Sequence, residues 1–395
     1  MQKLTLLKIV FTITIYSILN SCKDDSPVVP EIKIKEASIE RTTVNSIMQF
    51  SINLNVPTTV DVSFDYLLVD GTALSTKDYI GASGTLSIPA GETQAALAVQ
   101  IVGDPTNLRR ENLSFTVQLS NPKLCTFGNA SAQGIIISEN GSYLPTDNKG
   151  YTTPLTYPGY NLVWSDEFSD ANLNTAIWNQ EIGNNNGWGN HELEFYTNST
   201  KNTFLSNGNL IIEARKETIE QYSYTSGRMT TQGKKTFKYG RIDIRAKLPV
   251  GKGIWPALWM LGSNINSVGW AACGEIDIME LVGTFPSRIT STMHWSNNAK
   301  VHASMGANYN LTSGDFSQEF HVFSIVWKQN LILSYMDDIL FFTISDANIA
   351  PSNNPFNSDQ FFIFNVAVGG DWPGSPDGTT IFPQRMFVDY VRVFQ

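Results

Sequence analysis

The chain has 395 residues, 42% apolar and 16% charged, enough apolar mass for two or three cores and too little charge for long disorder. Its net charge is −9, and no later stretch gathers lysine or arginine. A phosphate backbone would be repelled, which excludes nucleic acid as a partner.

Lys3 and Lys8 open the chain, an apolar run fills residues 9–19, and Asn20, Ser21 and Cys22 end it. The run is too short to span a bilayer, and residues 1–21 read as a signal peptide. Leu19 three residues before Cys22, with Ser21 beside it, resembles the lipobox of bacterial lipoproteins and implies acylation of Cys22. The membrane is then a partner through the lipid anchor only. Lys23-Asp24-Asp25 is similar to the surface-export tag of such lipoproteins, implying an exported protein displayed on the outer membrane. Residues 22–32, with Pro and small polar side chains, read as a tether.

Residues 33–140 carry short alternating runs such as Val62-Ser63-Phe64-Asp65-Tyr66 and Leu113-Ser114-Phe115-Thr116-Val117, punctuated by Asp70-Gly71 and Pro89-Ala90-Gly91. Period-two patterning between turn signals predicts a small antiparallel, immunoglobulin-like β-sandwich. Gly84-Thr85-Leu86-Ser87-Ile88-Pro89-Ala90-Gly91-Glu92 and Leu119-Ser120-Asn121-Pro122 resemble a Calx-beta domain. Some such modules bind calcium, and Asp70, Asp78, Asp104 and Glu111 are the candidate oxygen ligands. Scattered loop acids are more often solvated, so the expected role is a spacer or accessory module. Cys125 and Cys273 fall in different expected domains and are not expected to pair.

Residues 141–158 are rich in Gly, Pro, Asn and Thr and read as a linker. From there to 395 the composition shifts toward Trp, Gly and Asn, with strand-like runs such as Gly240-Arg241-Ile242-Asp243-Ile244-Arg245-Ala246 and no long helical period. One large all-β sandwich over 159–395 is expected.

Its most informative segment is Gly274-Glu275-Ile276-Asp277-Ile278-Met279-Glu280. Strand alternation puts Glu275 and Asp277 on one face and Glu280 on the other. One extra residue, a β-bulge at Ile278 or Met279, returns Glu280 to the acidic face. Three acids crowded together cost repulsion and desolvation, so the pattern asks for a catalytic explanation. Glycoside hydrolysis supplies one: one carboxylate attacks the anomeric carbon while a second, kept protonated by its neighbour, protonates the leaving oxygen.

Flanking this strand are Gly253-Ile254-Trp255-Pro256-Ala257-Leu258-Trp259-Met260-Leu261-Gly262, Thr292-Met293-His294-Trp295 and Val368-Gly369-Gly370-Asp371-Trp372-Pro373-Gly374. Together these resemble glycoside hydrolase family 16, in particular its bacterial laminarinase branch. The resemblance runs from Trp164-Ser165-Asp166-Glu167-Phe168 to Val388-Asp389-Tyr390-Val391-Arg392-Val393. It implies a concanavalin-like jelly-roll β-sandwich and a retaining endo-hydrolase of β-1,3-glucan, with Glu275 as nucleophile, Glu280 as acid/base and Asp277 as the assisting acid. Mixed-linkage glucan and marine galactans such as agarose or porphyran are rival substrates, and a non-catalytic glycan-binding lipoprotein is the rival class.

By the same resemblance His294 lines the cleft, although a satisfied sheet histidine is the competing explanation. Trp255, Trp259 and Trp372 are candidates for stacking on sugar rings, with core packing as the alternative. Asn190, Glu192, Glu194 and Arg245 match segments that hold the glycone. Glu167, the carbonyl of Gly208 and Asp389 match a structural calcium site. No cofactor is expected for catalysis, the substrate is a polysaccharide, and the protein is expected to be a monomer.

Overall fold

The structure is a computed structural model that describes residues 28–349 and 354–395. Cys22, the signal sequence and the first part of the tether lie outside the described residues. The chain divides into two compact units, and almost every element in both is a strand.

In the first unit one sheet runs Gln94–Ile101, Ser46–Leu54, Glu31–Ile34, Thr126–Asn129. The other runs Ala37–Glu40, Ser131–Ile137, Leu113–Lys123, Val62–Asp70, Ser83–Ile88. Alternation drives the sandwich: Met48, Phe50, Ile52 and Leu54 point inward from one strand, and Phe115 and Val117 from another. Two of the acids weighed as calcium ligands cap turns instead. Asp70 accepts the Ser75 N–H at 2.8 Å and the Tyr79 hydroxyl at 2.6 Å, and Asp78 accepts the Leu74 N–H at 3.0 Å. Among the described residues none of Asp70, Asp78, Asp104 and Glu111 joins a group of three that could hold an ion.

The second unit includes residues Ile137–Gln395 together with Gly103–Asn112. Its two large sheets pack face to face around a core of Ile242, Ile244, Leu258, Met260, Ile276, Met279, Phe323, Phe362 and Val391. One sheet has eight strands, among them Gly240–Lys247 and Gln384–Phe394. The other is antiparallel, in the order Asn179–Gln180, Arg228–Thr230, Gln360–Val368, Ile254–Gly262, Glu275–Leu281, Arg288–Ser296, His302–Asn310. The acidic strand thus lies inside this sheet, laddered on both sides.

Residues 148–157, expected in a linker, lie along the eight-stranded sheet. The Tyr157 hydroxyl donates to buried Asp243 at 2.7 Å, and Thr153 binds the Tyr390 hydroxyl through both its N–H and its side chain. Arg245 donates to the Tyr151 and Asn148 carbonyls at 2.6 and 2.9 Å. The Pro and Gly content that reads as a linker serves here to lay an extended strap over polar strand positions. Cys125 and Cys273 are both free thiols.

Candidate active site

The acidic strand carries the expected bulge. Against Ile254–Gly262, Leu258 faces Met279 and Trp259 faces Asp277, so Ile278 has no counterpart. Against Arg288–Ser296, Asp277 faces Thr292 and Glu280 faces Thr290, with the register shifting between them. Ile278 and Met279 consequently both turn into the core, and Glu280 returns to the face of Glu275 and Asp277. The sequence permits this because two large apolar side chains in succession gain more by burial than the ladder loses.

Side-chain exposure is 15% for Glu275 and 5% for Asp277. Glu280 is also buried. Desolvation raises all three carboxyl groups above the ordinary carboxylate range, but not equally. For Glu275 the rise is opposed by His294, by the Trp270 indole N–H, which donates at 3.0 Å, and by Arg228. Glu280 is pushed up well above that range, first by burial and then by the charges of Asp277 and Glu275, against weaker help from His294 and the Trp255 N–H at 3.1 Å. Asp277 is likewise pushed far up by burial and by Glu275. The arrangement therefore favours an ionised Glu275 beside a protonated Glu280.

His294 meets the acids from the neighbouring strand, its Nε2 lying 3.2 Å from Asp277 Oδ2 and 3.9 Å from Glu275 Oε1. The first distance is that of an ion pair but is off hydrogen-bond direction, which leaves Asp277 Oδ2 buried without a hydrogen bond. Its other ring nitrogen, Nδ1, lies 2.8 Å from His302 Nε2.

The expected sugar platforms divide by location. Trp372 is 47% exposed and stands edge-on to Trp255, ring centres 5.4 Å apart. Trp259 is half-buried, donates to Asn365 Oδ1 at 2.8 Å and has Arg228 over its ring. Asn190 donates to Glu192 Oε1 at 3.3 Å, and Glu192 Oε2 accepts from the Tyr196 hydroxyl at 3.2 Å, itself bonded by Asn365 at 3.1 Å. A relay of side chains thus joins the Asn190 loop to Trp259. Glu194 is wholly buried and takes the Val368 N–H at 2.6 Å, so it holds a strand end. The Trp372 loop returns beside Asn190 because Gly369, at φ +75°, lies where a Cβ would fall 2.5 Å from Leu193.

Two expectations change. Arg245 is not at this site: it sits on the eight-stranded sheet, pairs with Asp389 at 2.8 Å and is sealed by the 148–157 strap. Its segment was matched to a glycone-holding one by resemblance, and strand alternation does not tell which of two sheets a strand joins. Glu167 does not offer a free carboxylate to a cation, because both its oxygens accept from Arg392. Gly208 and Asp389 do come together, since Leu210 pairs with Val388 just beyond the Gly208 turn, and Arg245 takes only Oδ2 of Asp389.

Arg228, Trp270, His302, Tyr196 and Asn365 were not singled out from sequence. Trp270 stood five residues before Glu275 and Asn365 three residues before the Val368–Gly374 motif, both usable signals. Arg228 lies on a three-residue strand and gave none.

Known proteins place this geometry. The profile of the Calx-beta domain matches residues 24–140. A glucan endo-1,3-beta-glucosidase A1 of Niallia circulans is 40% identical over 62% of this chain, which spans only 39% of that protein's length. A beta-glucanase of Rhodothermus marinus is 38% identical over 60% of the chain and 86% of its own length. Among solved structures, the laminarinase catalytic domain of Thermotoga maritima is 50% identical, with a TM-score of 0.57, over 60% of this chain and 98% of that one. The profile of glycosyl hydrolases family 16 matches residues 190–392, from the Asn190 loop through the acidic strand to the final strand, and the chain belongs to that family.

Proposed function

We propose that the protein is a retaining endo-hydrolase of β-1,3-glucan of the laminarin type. The observation that carries the reading is the bulge at Ile278, which puts Glu275, Asp277 and Glu280 on one face with unequal proton affinities. Glu275 attacks the anomeric carbon as Glu280 gives its proton to the glycosidic oxygen, and the bond to the leaving sugar breaks. Glu280, now ionised, takes a proton from water, whose oxygen attacks the same carbon and releases Glu275 as carboxylate. Asp277 between them takes up part of the charge that moves during both steps. Trp372 and Trp255 offer aromatic surface to the sugar ring.

The test is reducing-end release by the purified chain from laminarin, mixed-linkage glucan and agarose. Fastest release from laminarin, with a ladder of internal products, is expected. Retained binding with no release from any of them would make the protein a glycan-capture module instead.

The reading extends to the cell envelope and to an ion. The lipobox-like run ending in Cys22 supports an exported outer-membrane lipoprotein, and metabolic labelling with a fatty acid analogue should mark the chain but not its Cys22→Ala variant. The Gly208 carbonyl and Asp389 carboxylate would hold a structural calcium, which supplies no chemistry to the acids. At saturating calcium the melting temperature should exceed that in EDTA by about 5 to 10 °C, and Asp389→Asn should remove the difference.

A further inference from the structure

His302 lies on the edge strand His302–Asn310, outside every motif that points to the chemistry, yet it contacts two residues that touch the nucleophile. Its ring lies against Trp270, centres 4.6 Å apart, and parallel to His294, centres 5.0 Å apart at 15°. Trp270 donates to Glu275 Oε2, and His294 faces Asp277 and Glu275.

The 2.8 Å separation of His294 Nδ1 and His302 Nε2 requires one proton between two nitrogens, and its owner decides what His294 presents to the acids. If Nδ1 carried it, a neutral His294 would turn a lone pair from Nε2 toward two carboxyl groups. Those groups have Glu275 as their ionised member, so repulsion opposes that tautomer. If His302 carries it, Nδ1 accepts, and Nε2–H lies on the side of Asp277 Oδ2, 3.2 Å away, a buried oxygen otherwise lacking a hydrogen bond. This arrangement sets a proton, not a lone pair, on the side of the ionised Glu275 and needs only two neutral rings.

We propose that His302 is a positioning residue that donates Nε2–H to His294 Nδ1 and so fixes His294 as the Nε2–H tautomer that braces Asp277 and Glu275. It rests on the hydrolase reading for its kinetic consequence but not for the tautomer itself. The ring contact with Trp270 gives His302 a second, purely steric role, which a substitution can separate from the first. His302→Phe keeps a flat ring against Trp270 and removes the donor, whereas His302→Gln keeps a donor nitrogen at nearly the same reach from the backbone.

The first measurement is the nitrogen-15 spectrum of the full chain with labelled histidine, assigned through His294→Gln and His302→Gln, at neutral pH without substrate. His294 should appear as the neutral Nε2–H tautomer in the wild type and lose that bias in His302→Phe. The second is kinetics on laminarin: kcat should fall at least about tenfold in His302→Phe, with KM changed less than twofold and most of the rate restored in His302→Gln. A His294 found as Nδ1–H or as imidazolium would overturn the proposal. So would a tautomer unmoved by His302→Phe, or equal losses in the Phe and Gln variants. A correct tautomer in a protein inactive on laminarin would leave this assignment standing and refute the substrate instead.

Discussion

Two carboxyl groups of equal chemistry do opposite work on one strand, and what separates them is their company. Glu275 has an imidazole, an indole N–H and a guanidinium to favour its charge, while Glu280 has two like charges against it and only the imidazole and one indole N–H in its favour. Replacing Glu275 by Gln should cut turnover on laminarin by at least about a thousandfold while oligosaccharide binding, measured calorimetrically, stays within a few-fold. The pH profile follows from the same shifts. Activity needs Glu275 ionised, so it is lost as pH falls through a pKa raised above the ordinary carboxylate value. It needs Glu280 protonated, so it is lost as pH rises through a pKa raised further still. The Trp255 N–H favours the ionised Glu280, and removing that donor in Trp255→Phe should move the alkaline limb of kcat/KM to higher pH. A limb that stays in place or moves to lower pH would show that this hydrogen bond does not tune Glu280.

Within a strand, sequence speaks clearly about parity and faintly about neighbours. The five-residue spacing of the glutamates, with Ile278 and Met279 adjacent, required an extra residue and said where it goes, because burial of apolar side chains fixes which face each residue takes. Deleting Ile278 leaves the glutamates four residues apart, so simple alternation keeps both on the acidic face while the core loses one apolar side chain. The expected result is detectable glucan hydrolysis at a lower melting temperature, and a folded deletion variant with no hydrolysis would show that the bulge does more than choose the face, whereas Ile278→Val should keep most activity. Sequence was less informative about which sheet a strand joins. Gly240–Lys247 alternates as neatly as the acidic strand, yet its Arg241, Asp243 and Arg245 face away from the chemistry. Arg228 was equally hidden, since its position over Trp259 depends on pairing with Gln360–Val368, far along the chain.

At the scale of the molecule, composition told the two units apart but misjudged where the second begins to fold. Residues 148–157 read as linker because their hydrogen-bond partners lie about a hundred residues or more onward, and no local pattern announces them. A protein starting at residue 159 should therefore be less stable than one starting at 141. The five hydrogen bonds described above, at about 1 kcal/mol each, predict a melting temperature lower by about 10 to 20 °C, readable by calorimetry on the two fragments. Equal melting temperatures would mean the strap adds nothing.

The acidic strand is flanked by ladders on both edges, whereas Asn190 and Trp372 ride on turns between elements. Scaffold and reagents are in that sense one rigid object, and the walls that greet a polymer are separable attachments. Amide protons of Ile276 and Leu281 belong among the slowest to exchange with deuterium, and those around Trp372 among the quickest. A lineage of such proteins can exchange the attachments to meet a new polysaccharide without rebuilding the part that breaks the bond.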